Sequence, residues 1–121
     1  DDAIIAVACS IRNRTLIAKW WNDHAANDYV AVITHSAIVN GRRIYQYSSW
    51  NQDDPNALLF GVSDADSAIA RILPIAESVV NGTQEDTVQG CTSYYSGSIV
   101  PNWATPSTHV LDVGDFHFFR V

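Results

Sequence analysis

The segment THVLDVGDFHFFRV, residues 108–121, does most to set the fold class. Apolar residues lie on both sides of Val113-Gly114-Asp115, a combination that favours a chain reversal. The segment therefore reads as two strands joined at that turn. Upstream, TQEDTVQGCTSYYSGSIVPNWATPS (83–107) is rich in turn residues. Before it, SDADSAIARILPIAESVVNG (63–82) carries the marks of a helix. Ser63 offers an N-cap, acids follow it, the apolar residues recur at helical spacing, and Asn81-Gly82 closes the run. Pro74 lies inside that pattern and is expected to kink the helix or split it.

The start of the chain adds further helix. In AIIAVACSIRNR (3–14) the apolar positions 4, 5, 7, 8 and 11 suit a helix with a broad buried face, behind Asp1 and Asp2 at its positive end. TLIAKWWNDHAANDYVAVITHSAI (15–38) reads as two short helices around the polar stretch NDHAAND, although YVAVITH also fits a strand. In NGRRIYQYSSW (40–50), Asn40-Gly41 makes a turn and the alternation after it makes a hairpin arm. Helices early, strands late and no βαβ alternation define an α+β arrangement. At 121 residues, without repeats, low-complexity runs or a linker, one domain over 1–121 is expected.

Seven Lys+Arg against thirteen Asp+Glu give a net charge of −6, and the basic residues are scattered. No basic stripe is present to neutralise a phosphate backbone, so nucleic acid is not expected as a partner. An acidic chain also gains little from long-range attraction to anionic polymers. No apolar run reaches the length of a membrane span. The opening DDAIIAVACS has neither a basic segment nor an initiator Met, so it is not read as a signal peptide. A start at Asp1 is expected to reflect processing or a longer chain. Cys9 and Cys91 read as two buried, unlinked thiols, with a disulfide as the alternative. His24, His35, His109 and His117 show no ligand spacing, so no metal site and no cofactor are expected. His117 alone in a terminal strand reads as structural.

The G-x-S-x-G elbow, the P-loop and the dinucleotide fingerprint are all missing. Asp53, Asp54, Asp64 and Asp66 sit where turns and helix starts favour acids. Glu77 reads as a solvated helix charge, and Trp20-Trp21 as packing. Other aromatics stand among hydroxyls: Tyr45, Tyr47 and Trp50 near Ser48, Ser49 and Asn51, Tyr94-Tyr95 between serines, and Trp103. Sugars present apolar C–H faces with hydroxyl edges, and such clusters suit them. Composition leaves two readings open, core packing or a sugar platform.

Several segments, taken in order, resemble the SleB-type cell wall hydrolases. AVACSIRNR (6–14) is similar to that family's A-V-A-x-x-I-x-N-R helix, and YQYSSWNQDDPN (45–56) to its Q-F-S-x-W-N-x-x-D-P-N segment, with Tyr47 in place of Phe. PIAESVVNG (74–82), GCTSYYS (90–96), PNWA (101–104) and VGDFHFFRV (113–121) resemble its helix end, its G-A-T-H-Y-Y-N motif, its Pro-to-Trp-Ala stretch and its closing strand. The resemblance implies a lysozyme-like fold, mostly helical with short β-hairpins towards the C-terminus. It also implies cleavage of peptidoglycan glycan strands, commonly as a lytic transglycosylase. Ser48, Trp50 and Asn51 would form one wall of the glycan cleft, and Tyr94 and Tyr95 the other. Asn13-Arg14 would cap a helix end or tie loops together.

There are departures from the family pattern. Ser93 and Ser96 stand where the family has His and Asn. Phe116 holds the place of its terminal His, and His117 falls one later, on the opposite face of a strand. The family's catalytic glutamate would fall before Asp1, and no residue here matches it. The implied location is the cell envelope, the exterior or a virus particle. The alternative is a non-catalytic relative that binds wall glycan or is built into a virion or envelope assembly.

Overall fold

The computed structural model describes residues 1–47 and 67–121. The chain divides into two compact units, one of Asp1–Arg14 with Ile72–Val121, the other of Thr15–Arg71.

The first unit packs helix against one face of a sheet. Helix α1 (Asp2–Thr15) places Asp2 in its first turn and Arg12 and Arg14 in its last, both signs opposing the helix dipole. Ala6 and Cys9 on its inner face are fully buried. They form a core with Val79, Val88, Cys91 and Phe118, joined by half-buried Ile5, Tyr94, Leu111 and Phe116. Helix α3 (Ser67–Val80) reaches this core through Val79 and runs through Pro74 as one element. The expected split does not occur. Proline forfeits the bond to the carbonyl of Ala70, but Ala70 is exposed and water can take that acceptor. The helix ends as its sequence predicts. Asn81 N–H donates to Glu77 O at 2.9 Å, and Gly82 adopts φ +83°, a left-handed position that glycine takes without strain.

Three antiparallel strands complete the unit: β3 (Ser93–Ser96), β4 (His109–Val113) and β5 (Phe116–Phe119), in the order β3-β5-β4. β4 and β5 form the hairpin read from 108–121, with Val113 opposite Phe116 across the turn. Strand β3 lies within a stretch expected to be turns. Cys9 and Cys91 are free and buried, and burial pushes the Cys91 thiol up to about 11.

Arg14 and Asn13 act as ties rather than ligands. The buried Arg14 donates its Nε–H to Thr92 O and Nη2 to Ser93 Oγ at 3.2 Å. Asn13 Nδ2 donates to Cys91 O at 3.0 Å and to Asp86 Oδ2 at 3.2 Å. Asp86 in turn accepts from the Val88 and Gly90 amides at 2.9 and 2.7 Å, which folds the loop that enters β3.

The second unit holds a short 3-10 turn (Trp20–Asn22), helix α2 (Tyr29–Ile33) and the hairpin β1 (Ser36–Val39) to β2 (Arg42–Tyr45). Asp28 caps α2 by accepting from the Ala31 amide at 3.0 Å. Asn40 and Gly41 both adopt positive φ, the backbone that a two-residue hairpin needs. YVAVITH is thus helical over 29–33, and strand begins only at Ser36. Of the paired tryptophans, Trp21 is buried as read, and its indole N–H donates to Ile17 O at 3.1 Å. Trp20 is half exposed and meets His35 edge-on at 5.4 Å.

The fold is α+β, but among the described residues helix takes 33% and strand 21%, so the mostly helical expectation is corrected. Strand enters both through β1–β2, well before the C-terminus, and through β3. Among the described residues, no helix is long and apolar enough to cross a membrane.

Candidate functional site

Alternation along a strand sends neighbouring side chains to opposite faces of a sheet. Tyr94 pairs with Phe118, which pairs with Leu111, and this row lies on the core face. Tyr94 meets Phe116 at 5.7 Å and Phe118 at 5.8 Å between ring centroids. Its burial raises the phenol pKa above the ordinary value. Tyr95 pairs with His117, which pairs with Asp112, and this row lies on the outer face. The expectation that Tyr94 and Tyr95 share one wall is therefore corrected, and Tyr94 belongs to the core.

On the outer face Tyr95 anchors an aromatic group. Its ring lies 4.9 Å from His117, 5.8 Å from Phe119 in a stacked arrangement, and 6.4 Å from Trp103. Trp103 stands edge-on to Phe119 at 5.4 Å. The loop between β3 and β4 curls over this face through bonds from the Thr108 and His109 amides to Thr105 O, each 3.1 Å. Thr105 Oγ1 lies 3.1 Å from Ser107 Oγ and 3.0 Å from Thr108 Oγ1. Between loop and sheet lies an open trough of about 320 Å³, near the lower end for small-molecule sites. Tyr95 and Phe119 form its apolar wall. His109, Asp112, His117 and Thr105 form its polar rim, and Ala104 and Pro106 close the loop side.

The rim is organised around one carboxylate. Asp112 Oδ1 lies 2.7 Å from His109 Nε2 and 2.7 Å from His117 Nδ1. These two hydrogen bonds hold the Asp112 pKa below its ordinary value. Asp112 faces His117 because the hairpin register places them opposite each other. His109 reaches the same oxygen for a less obvious reason. Three residues apart on a regular strand, His109 and Asp112 would point to opposite faces. A register shift between His109 and Leu111 inserts Val110 as an extra residue and turns His109 back to the outer face. His117 is accordingly not isolated: it and His109 stand on the same carboxylate oxygen.

Sequence reading missed His109, Asp112 and Thr105 as site residues. The turn at Val113-Gly114-Asp115 already implies that Asp112 and His117 are paired. Nothing in the sequence announces the bulge that recruits His109. In the sequence Trp103 is only one aromatic cluster among several. Ser48, Trp50 and Asn51, the other expected wall, lie outside the described residues. Ser93 is buried against Arg14, and Glu77 is exposed on α3, as read.

No family model, curated protein or solved structure matches the chain.

Proposed function

We propose that the outer face of β3, β5 and β4 binds the glycan strands of peptidoglycan. We further propose that the protein serves their cleavage as a lytic transglycosylase of lysozyme-like fold. The observation that carries this reading is the wall of Tyr95 and Phe119 standing beside a rim of imidazole, carboxylate and hydroxyl groups in one trough. A sugar ring offers a C–H face to the aromatics and hydroxyls to the rim, and one trough meets both needs. The sequence resemblance to SleB-type hydrolases supplies the polymer. Its place of action would be the cell envelope, the exterior or a virus particle.

Cleavage of a glycosidic bond needs a carboxylic acid that is still protonated at the working pH. Asp112 is the carboxylate of this rim, and two imidazoles hold it in the ionised form. It can orient a hydroxyl but is a poor proton donor. In this proposal the acid is a glutamate upstream of Asp1. The muramyl 6-hydroxyl attacks the anomeric carbon in place of water and leaves an anhydro end.

That property of Asp112 favours one second reading, a non-catalytic wall-binding or virion and envelope component. The full translation product of the gene, incubated with dye-labelled peptidoglycan, separates the two. Release of soluble fragments with anhydromuramyl ends supports the transglycosylase. Sedimentation with wall sacculi without release supports the binding component. A product that neither releases fragments nor sediments refutes both.

A further inference from the structure

We propose that His109, Asp112 and His117 form a binding site for a borderline divalent transition cation, with Zn²⁺ as the test ion. The ligand atoms His109 Nε2, Asp112 Oδ1 and His117 Nδ1 all lie within 4.8 Å of one another. Bonds of about 2.0–2.2 Å in a tetrahedral site separate neighbouring donors by roughly 3.3–3.6 Å. The two nitrogens now stand 2.7 Å from the shared oxygen. Seating a cation therefore asks each nitrogen–oxygen pair to open by roughly 0.6–0.9 Å, a shift that partly exposed side chains can make. All three residues are partly exposed, so solvent reaches the site.

The backbone holds these donors together. Asp112 and His117 are cross-strand partners, and the extra residue Val110 returns His109 to their face. Strand positions fixed by a hairpin register hold ligands more firmly than loop positions do. Two imidazoles and one carboxylate suit zinc and its neighbours in the first transition row. Magnesium and calcium prefer all-oxygen sets. Three protein ligands leave at least one coordination position for water or for an oxygen of a molecule in the trough. Entry of the ion replaces two N–H···O bonds with two nitrogen–metal bonds. Each neutral imidazole then carries its proton on its other nitrogen, and nothing is oxidised or reduced. The inference does not rest on the sugar reading, since the trough can hold a glycan without an ion and an ion without a glycan.

The test uses the chain without a polyhistidine tag, stripped by chelator and titrated with Zn²⁺ by calorimetry and with Co²⁺ by visible absorption. The expected result is saturation at one equivalent, with d–d bands from a low-coordinate Co²⁺ and no competition from Mg²⁺ or Ca²⁺. Asp112→Ala and His117→Ala should each weaken binding at least about tenfold, the smallest loss typical of disturbing even an outer-shell partner. His24→Ala should keep the parent affinity. Because His117 also packs on Tyr95, imidazole NMR of the parent chain gives a readout that needs no variant. The His109 and His117 rings should shift on adding Zn²⁺, and the His24 and His35 rings should not. Absence of saturable binding, unchanged affinity in His117→Ala, or ring shifts at His24 and His35 instead would overturn the site and leave a purely hydrogen-bonded cluster.

Discussion

Replacing Tyr94 and Tyr95 one at a time by alanine is expected to separate stability from recognition. Full truncation of a buried large aromatic costs about 3–5 kcal/mol. Tyr94 is half-buried, which lowers that figure, but it also loses edge and tilted contacts to Phe116 and Phe118 at 5.7 and 5.8 Å. Each such contact is worth about 0.5–1.5 kcal/mol. The balance for Tyr94→Ala is about 3 kcal/mol, which lowers the urea midpoint by roughly 1–3 M at ordinary slopes. Its core-facing ring touches no part of the trough, so the folded fraction should bind a peptide-free glycan oligomer with the parent affinity. Tyr95→Ala removes the trough wall, and a loss of at least tenfold, about 1.4 kcal/mol, is expected in the same calorimetric titration. Equal losses of binding in the two variants, measured where both are folded, would refute the assignment of faces. So would a Tyr94→Ala penalty well under 1 kcal/mol.

Other consequences follow from the same packing. Arg14→Leu strands the Thr92 carbonyl and the Ser93 hydroxyl, and at about 1.5–3 kcal/mol per bond to a charged donor it should cost about 3 kcal/mol or more in urea unfolding. Asp112 titrates below its ordinary 3.8 when folded, so its stabilising contribution is present above that pH and is lost as pH falls through the folded value. Urea midpoints of the parent and Asp112→Asn should therefore differ near neutrality and converge below pH 3.8. Cys91, buried and raised to about 11, should resist iodoacetamide at pH 8 in the native chain and react once urea unfolds it.

Local signals carried much of the fold. The 3.6-residue spacing of 3–14 marked α1, Asn81-Gly82 marked the end of α3, and Asn40-Gly41 and Val113-Gly114-Asp115 marked two hairpin turns. Each is a short-range preference that the finished packing leaves in place. Strand β3 escaped because four residues, two tyrosines between two serines, give too little alternation to register. Its partner β5 supplies the pairing, and that is long-range information. Strand β1 was hidden by apolar continuity with α2. The candidate site was less legible still. Parity along a strand could have placed Tyr94 and Tyr95 on opposite faces, and the hairpin register could have paired Asp112 with His117. The place of His109 depends on one extra residue, Val110, which no spacing rule foresees. Trp103 reaches Tyr95 through loop bonds around Thr105 that only the folded chain reveals.

The account turns on the outer face of the three-stranded sheet as the surface that receives glycan. Amide chemical-shift mapping during titration with a peptide-free N-acetylglucosamine–N-acetylmuramic acid oligomer tests it most directly. The prediction is saturable shifts at Tyr95, Thr105, His109 and His117, with Ala3, Ile4 and Val7 on α1 unmoved. Shifts confined to α1, or no shift at any of these positions at saturating oligomer, would contradict it.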